Sequence, residues 1–293
     1  MKLYLKSFYY FSKDFLNENK RLALFLKTTL SLVIILYFFK QINFVDLKKV
    51  ISNLEYYNIF VLFIIKMIII YCLSLRYHLL LKQKIEINIL KVIKQIFIAS
   101  FSNSILPSSI GGDGVRVYFS SKMGLSIRES GFIVIFERLL GLSSTLIIAL
   151  VSSFLWEIPK KLHDIILISN LIFFLLIFFV IQKRDSILVY FQYKIDLNKV
   201  NYDTYLNPII VFKTFFLSLI NHLLNIYINY YTALSIGIDE ISIFCFLSLM
   251  PIVWIVTLLP LTLGGIGLRE FSLLYLFSYL HFSNEDIFII SLA

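Results

Sequence analysis

Six ionisable residues stand in surroundings too apolar to leave them unexplained: Asp113, Arg116, Glu137, Arg138, Arg269 and Glu270. Charges at membrane depth are costly and mark either a functional site or a buried partner. An arginine fork suits a phosphate, because its planar donors match two oxygens at once. Gly-rich backbone beside it adds N–H donors to an anion. A lipid phosphate is the anion most available to such a site, so these six are expected to bind a substrate head group. The competing expectation is that Arg116, Glu137 and Arg138 pair with one another and fix helix packing.

Two copies of one segment carry half of these residues. Leu106-Pro107-Ser108-Ser109-Ile110-Gly111-Gly112-Asp113-Gly114-Val115-Arg116 returns as Leu259-Pro260-Leu261-Thr262-Leu263-Gly264-Gly265-Ile266-Gly267-Leu268-Arg269, 153 residues later. That offset exceeds half the chain, so it predicts a duplicated half rather than a short solenoid repeat. Pro107, Gly111, Gly112 and Gly114, with Pro260, Gly264, Gly265 and Gly267, are expected to break the helix, turn tightly and admit close backbone approach. In a membrane chain, matched Gly/Pro-interrupted segments in two halves point to a transport site.

The composition sets the surroundings. The 293 residues are 59% hydrophobic and 17% aromatic, with a mean hydropathy of +0.86. That is far above soluble domains and predicts an all-α polytopic membrane protein. The apolar runs are much longer than barrel strands. A net charge of +9 would suggest nucleic acid in a soluble chain; here basic cytoplasmic loops account for it, and no nucleic-acid partner is expected. Cys72 and Cys245 lie in apolar runs, and His78, His163, His222 and His281 are scattered without ligand spacing. Neither a disulfide framework nor a metal site is expected. Gly112-Asp113-Gly114 follows no strand and lacks a P-loop ending, so no cofactor is expected either.

The runs predict the following order. Leu22–Phe39 is an uncleaved first helix, because no small-residue cleavage site follows it. Tyr57–Leu75 is a second span, and Lys82–Lys94 a basic amphipathic connector at the interface. Gln95–Leu106, about 18 Å of helix against a core of about 30 Å, is too short to cross. With the motif after it, it predicts the descending arm of a re-entrant hairpin. Gly131–Trp156, Ile165–Ile181 and Pro208–Ile236 are full spans, the second facing lipid. Ser218, Asn221, Asn225, Asn229 and Thr232 form a polar stripe on one face of the third, read as interhelical hydrogen bonding rather than a substrate path. Ile241–Leu259, interrupted at Pro251, is the second hairpin arm.

Loop charge gives the orientation. Segments 1–21, 76–94, 113–130 and 182–207 hold seventeen Lys/Arg, against five in 40–56, 157–164 and 237–240. The positive-inside rule then places the N-terminus in the cytoplasm. Three crossings separate the motifs, so the halves, about 22–156 and 165–293, are expected to be inverted, each with a Pro/Gly-broken re-entrant hairpin.

At these residues the chain resembles the lysylphosphatidylglycerol-synthase transmembrane family, also called the flippase-like domain family. The resemblance rests on Pro107, Gly111-Gly112-Asp113, Arg116, Gly124 and Glu137-Arg138, then Pro260, Gly264-Gly265-x-Gly267 and Arg269-Glu270. It covers roughly residues 20 to 293. It implies a bundle with inverted halves that moves, or helps move, lipids or lipid-linked head groups between leaflets of a bacterial or archaeal cytoplasmic membrane. Some relatives carry a soluble aminoacyl-transfer or glycosyltransferase domain; this chain has room for neither, so no enzymatic activity comes with the resemblance.

The leading expectation is therefore a lipid translocase whose partners are membrane lipids with an anionic or polyprenyl-linked head group. A homo-oligomer or a separate lipid-modifying enzyme is a further expected partner. The alternative is a membrane-embedded transferase, or a lipid-presenting subunit of a lipid- or glycan-modifying enzyme. Glu137 and Glu270 would be its candidate bases, without a nucleotide or metal motif beside them. Glu285-Asp286 is followed only by Ile287–Ala293, about 10 Å of helix. This predicts a truncated last helix and a natural chain longer by about 15 to 25 residues.

Overall fold

The computed structural model describes residues 28–29, 32–33, 36–37, 40, 45, 55–105, 111–156, 160–182, 204–205, 207–238, 241–257, 267–277 and 283–292. The expected first helix and the loop at 182–207 lie largely outside them, as do Pro107, Pro260, Gly264 and Gly265. All regular elements among the described residues are helices: α1 (Tyr56–Leu81), α2 (Ile89–Ile105), α3 (Gly111–Lys122), α4 (Ile127–Leu155), α5 (Lys160–Gln182), α6 (Pro208–Ser235), α7 (Ile243–Thr257), α8 (Leu268–Phe277) and α9 (Asn284–Leu292).

Local chemistry sets several ends. Ser126 and Glu129 form a reciprocal capping box at the start of α4, satisfying two otherwise orphan N–H groups. Asn207 caps α6, and Pro208 occupies its first turn, where its missing N–H costs nothing. Gly267 precedes α8 with φ +84°, a left-handed conformation that suits glycine. Pro251 does not interrupt its helix as expected. It lies inside α7, buried with Met250 and Val253, where packing by neighbouring helices offsets the lost backbone bond.

Three described helices, α1, α4 and α6, are long and apolar enough to cross a bilayer. They form the centre: α6 packs along α1 and against α4, and α7 packs on both α4 and α6. Tyr77, Leu80, Val92, Ile133 and Tyr205 belong to one buried cluster. Ile226, Phe246, Met250, Leu273 and Phe277 belong to a second. The outward faces stay apolar, with Phe60 and Phe63 on α1, Leu171 and Ile172 on α5, and Phe212 and Phe216 on α6 exposed. Faces of that kind call for lipid rather than water.

Two boundaries differ from the expectation. Arg76 is not a loop cation: α1 continues to Leu81 and buries it. The connector is confined to Lys82–Asn88, because α2 begins at Ile89. The segment expected to be a 12-residue hairpin arm is thus part of a helix of 17 residues, about 26 Å long.

α2 and α3 form an antiparallel pair. Gln95 Nε2 donates to the Arg116 carbonyl at 2.8 Å and to Ser120 Oγ at 3.0 Å, while the Gly112 N–H donates to Asn103 Oδ1 at 2.7 Å. The first motif does not stay outside regular structure, since Gly111, Gly112 and Gly114 begin α3. The close approach expected of its glycines is real at Gly112, where a Cβ would stand 2.5 Å from the Ala99 carbonyl oxygen. At Gly114 a Cβ would meet nothing within 4 Å.

The 153-residue offset holds for helices as well as for the motif. Moving α1 by it gives 209–234, against Pro208–Ser235 for α6. Moving α2 gives 242–258, against Ile243–Thr257 for α7.

Candidate functional site

The packing of α1, α3 and α4 brings four of the six expected residues together and adds a fifth charge. Glu137 is 1% exposed in the first half of α4. Its Oε1 accepts from Arg76 Nε of α1 at 2.6 Å, and its Oε2 pairs with Arg116 Nη2 of α3. Asp113 joins the same network, with Oδ1 3.6 Å from Arg116 Nη1 and Oδ2 paired with Arg138 Nε. Three guanidinium groups against two carboxylates leave a net charge of one positive.

Neutral groups hold the cations in place. Arg76 Nη1 donates to Ser218 Oγ of α6 at 2.8 Å. The Arg116 guanidinium lies 4.1 Å from the centroid of the Tyr77 ring, a cation–π geometry. Tyr77 and Ser120 hydroxyls hydrogen-bond at 2.8 Å. Arg76 and the neutral partners Tyr77, Gln95, Ser120 and Ser218 had no motif of their own. Ser218 alone was signalled, by the polar stripe of α6.

The network opens on a cavity of about 310 Å³ between α1, α4, α6 and α7. Arg76, Glu137, Arg138, Asn221, His222 and Trp254 are among the residues that line it. Arg138 is the most open member of the cluster, its side chain 38% exposed against 9% for Arg76 and 12% for Arg116. Gly141 makes the room. A Cβ there would stand 3.6 Å from His222 Nε2 and 3.7 Å from Arg76 Nη1. The His222 and Trp254 rings are 5.2 Å apart.

Arg269 and Glu270 do not join the cluster. Neither lines the cavity formed by the described residues, and Glu270 Oε2 accepts from the Gly267 N–H at 2.7 Å. Arg269 Nε is buried without a hydrogen-bond partner among the described residues. The repeat explains the asymmetry, because Ile266 and Ile290 occupy the positions matching Asp113 and Glu137.

Two sequence expectations change here. The Arg116 fork is partly engaged, with Nη2 paired to Glu137 and Nη1 3.6 Å from Asp113 Oδ1, while Nε has no hydrogen-bond partner among the described residues. Of the polar stripe on α6, Asn221 Nδ2 donates across helices to the Ile69 carbonyl at 3.1 Å, and Ser218 Oγ accepts from Arg76 Nη1 at 2.8 Å. Asn225 and Asn229 instead donate to carbonyls four residues back in their own helix.

The comparisons agree with this architecture. The family described as "Lysylphosphatidylglycerol synthase TM region" matches residues 24–293. A curated relative from Archaeoglobus fulgidus, named "UPF0104 membrane protein", is 27% identical over 206 residues. That match takes in 61% of this chain and 62% of the relative, less than two thirds of the relative's length. With apolar membrane-length helices and a family match over nearly its whole length, this chain is an integral membrane protein of the lysylphosphatidylglycerol synthase transmembrane-region family.

Proposed function

We propose that the protein is a lipid translocase that moves a phospholipid or lipid-linked head group between leaflets through the cavity beside Arg76 and Arg138. The carrying observation is the unbalanced charge. Three arginines and two carboxylates meet in a protein whose outer faces are apolar. A residual positive charge in low dielectric is stabilised by an anion at short range. A phosphodiester supplies one negative charge and two oxygens for Arg138 or Arg76. The cavity suits a head group in depth as well, since Asn221 and His222 sit at the middle of the 28-residue α6.

The transport route uses two hairpins, α2–α3 and α7–α8, that enter the membrane without crossing it. The repeat of helix bounds at 153 residues supports two related halves, and an odd number of crossings between the motifs makes them inverted. The N-terminus is cytoplasmic. Arg76 and Arg116 are removed from the loop cations by their burial in the cluster, and the remaining fifteen still outweigh five on the opposite side. The membrane is the cytoplasmic membrane of a prokaryote.

Reconstitution in liposomes tests this. Acyl-labelled phosphatidylglycerol in the inner leaflet should become accessible to an impermeant quencher faster than in protein-free liposomes. Equal rates would refute transport. Recovery of covalently altered lipid would instead favour an embedded transferase.

A further inference from the structure

The two halves match in packing as well as in helix bounds. α1 packs on α2, α2 on α3 and α3 on α4; at the same offset, α6 packs on α7, α7 on α8 and α8 on α9. The residues of the first-half network therefore have counterparts 153 positions on. Arg76, Gln95 and Arg116 correspond to Asn229, Ser248 and Arg269, while Asp113 and Glu137 correspond to Ile266 and Ile290. The second half thus has polar groups on α6, α7 and α8 and a counterpart of neither carboxylate.

All three counterparts carry an unsatisfied group. Asn229 is 3% exposed and Ser248 0%, and Asn229 Oδ1, Ser248 Oγ and Arg269 Nε have no hydrogen-bond partner among the described residues. Residues one helical turn from them, Ile226, Ala233, Cys245 and Leu273, share one buried cluster with Ile290. The three groups therefore come from helices gathered round a single core. Buried donors and acceptors left unpaired are costly and call for a partner. Charge adds to the demand. Glu270 Oε2 is turned to the Gly267 N–H, and Lys66 of α1, close enough for its charge and that of Arg269 to act on each other, has the same sign. In the first half Glu137 answers the same demand by bridging Arg76 and Arg116.

A tetrahedral oxyanion answers it here. Its oxygens accept from Arg269 and from the Ser248 hydroxyl, and an oxygen that carries a proton donates to Asn229 Oδ1. We infer that Asn229, Ser248 and Arg269 form a second oxyanion station, at which the phosphate of the transported lipid takes the part that a built-in carboxylate plays in the first half. The inference rests on the proposed translocation and adds a second stop to its path, which the inversion of the halves sets toward the opposite leaflet. Because the groups are buried, the phosphate reaches them only when the packing of α6, α7 and α8 loosens.

The unpaired hydroxyl gives a test that a structural role does not mimic. Ser248→Ala removes a buried group without a partner, so a residue that merely packs would leave melting and transport at or above the wild-type level. The station predicts unchanged melting but transport of labelled phosphatidylglycerol in liposomes at no more than about a fifth of the wild-type rate, the loss of one hydrogen bond to an anion. Binding is read apart from transport, as the rise in melting temperature of the full chain in detergent on adding dioctanoyl phosphatidylglycerol or inorganic phosphate. The lipid should raise it for the wild type and by less than half as much for Arg269→Gln. Wild-type transport by Ser248→Ala, or an undiminished shift in Arg269→Gln, overturns the station while leaving the translocase standing. An Arg269-dependent shift that inorganic phosphate reproduces in full overturns the lipid assignment and gives the station to a soluble anion. An Arg269-dependent lipid shift in a wild-type protein that moves no lipid overturns translocation and supports the station. Should Arg269→Gln fail to fold, Ser248→Ala carries both readouts.

Discussion

Glu137→Gln removes a charge and almost no volume. In the folded protein Glu137 is 1% exposed and holds two arginines from different helices, Arg76 of α1 and Arg116 of α3. The variant leaves three guanidinium groups against one carboxylate, raising the net charge of the cluster from one to two. Removing one partner of a buried pair costs about 3–5 kcal/mol, because the other charge stays desolvated. With about 2–4 °C lost per kcal/mol in a chain of somewhat smaller size, the melting temperature should fall by roughly 6–20 °C. Fluorescence-detected size exclusion after heating in detergent measures this. The second arm is Glu137→Gln with Arg76→Gln, which restores the net charge to one. It should recover at least about 1 kcal/mol relative to the sum of the single variants. A fall below about 2 °C for Glu137→Gln, or strict additivity in the pair, would refute the bridging role.

Gly112→Ala should destabilise by about 1–3 kcal/mol, since its Cβ would press on the Ala99 carbonyl at 2.5 Å; Gly114→Ala, with open space, should be neutral or stabilising in the same melting assay. Tyr205, before α6, is fully buried with its hydroxyl unpartnered among the described residues, and burial raises its pKa above the usual tyrosine value, with Glu129 adding to the effect. The unfolded chain then releases that proton first, so stability falls as pH rises above about 10; Tyr205→Phe should fall less steeply, and identical alkaline profiles would contradict it. Cysteines placed beside Arg184 should be shielded from an impermeant reagent in intact cells while those beside Asp239 react; the reverse would overturn the orientation.

What could be read from the sequence was the part that broke a rule locally. Asp113, Arg116, Glu137 and Arg138 stood out because charges in apolar runs are rare, and all four meet in one network. Arg76 broke no rule, since a cation beside a basic connector looks like an ordinary span end; only the extra turn of α1 and the packing of α6 bury it against Ser218. Pro251 was misleading for the opposite reason. Its local penalty is real, but the buried wall of α7 continues through it. The duplicated motif was legible as sequence, whereas its chemical asymmetry was not. Ile266 and Ile290 become meaningful only once Asp113 and Glu137 are seen to neutralise arginines in the first half.

Filling the cavity without removing a charge separates transport from the charge balance of the cluster. Gly141→Ala fits, because its Cβ would make ordinary contacts at 3.6 and 3.7 Å with His222 and Arg76. Gly141→Leu extends a larger side chain into the cavity that Gly141 lines. In proteoliposomes of equal protein content, wild type and Gly141→Ala should expose labelled inner-leaflet phosphatidylglycerol at comparable rates, and Gly141→Leu at no more than about a tenth of them. Transport by Gly141→Leu at the wild-type rate, or a wild-type rate no faster than empty liposomes, would contradict the account.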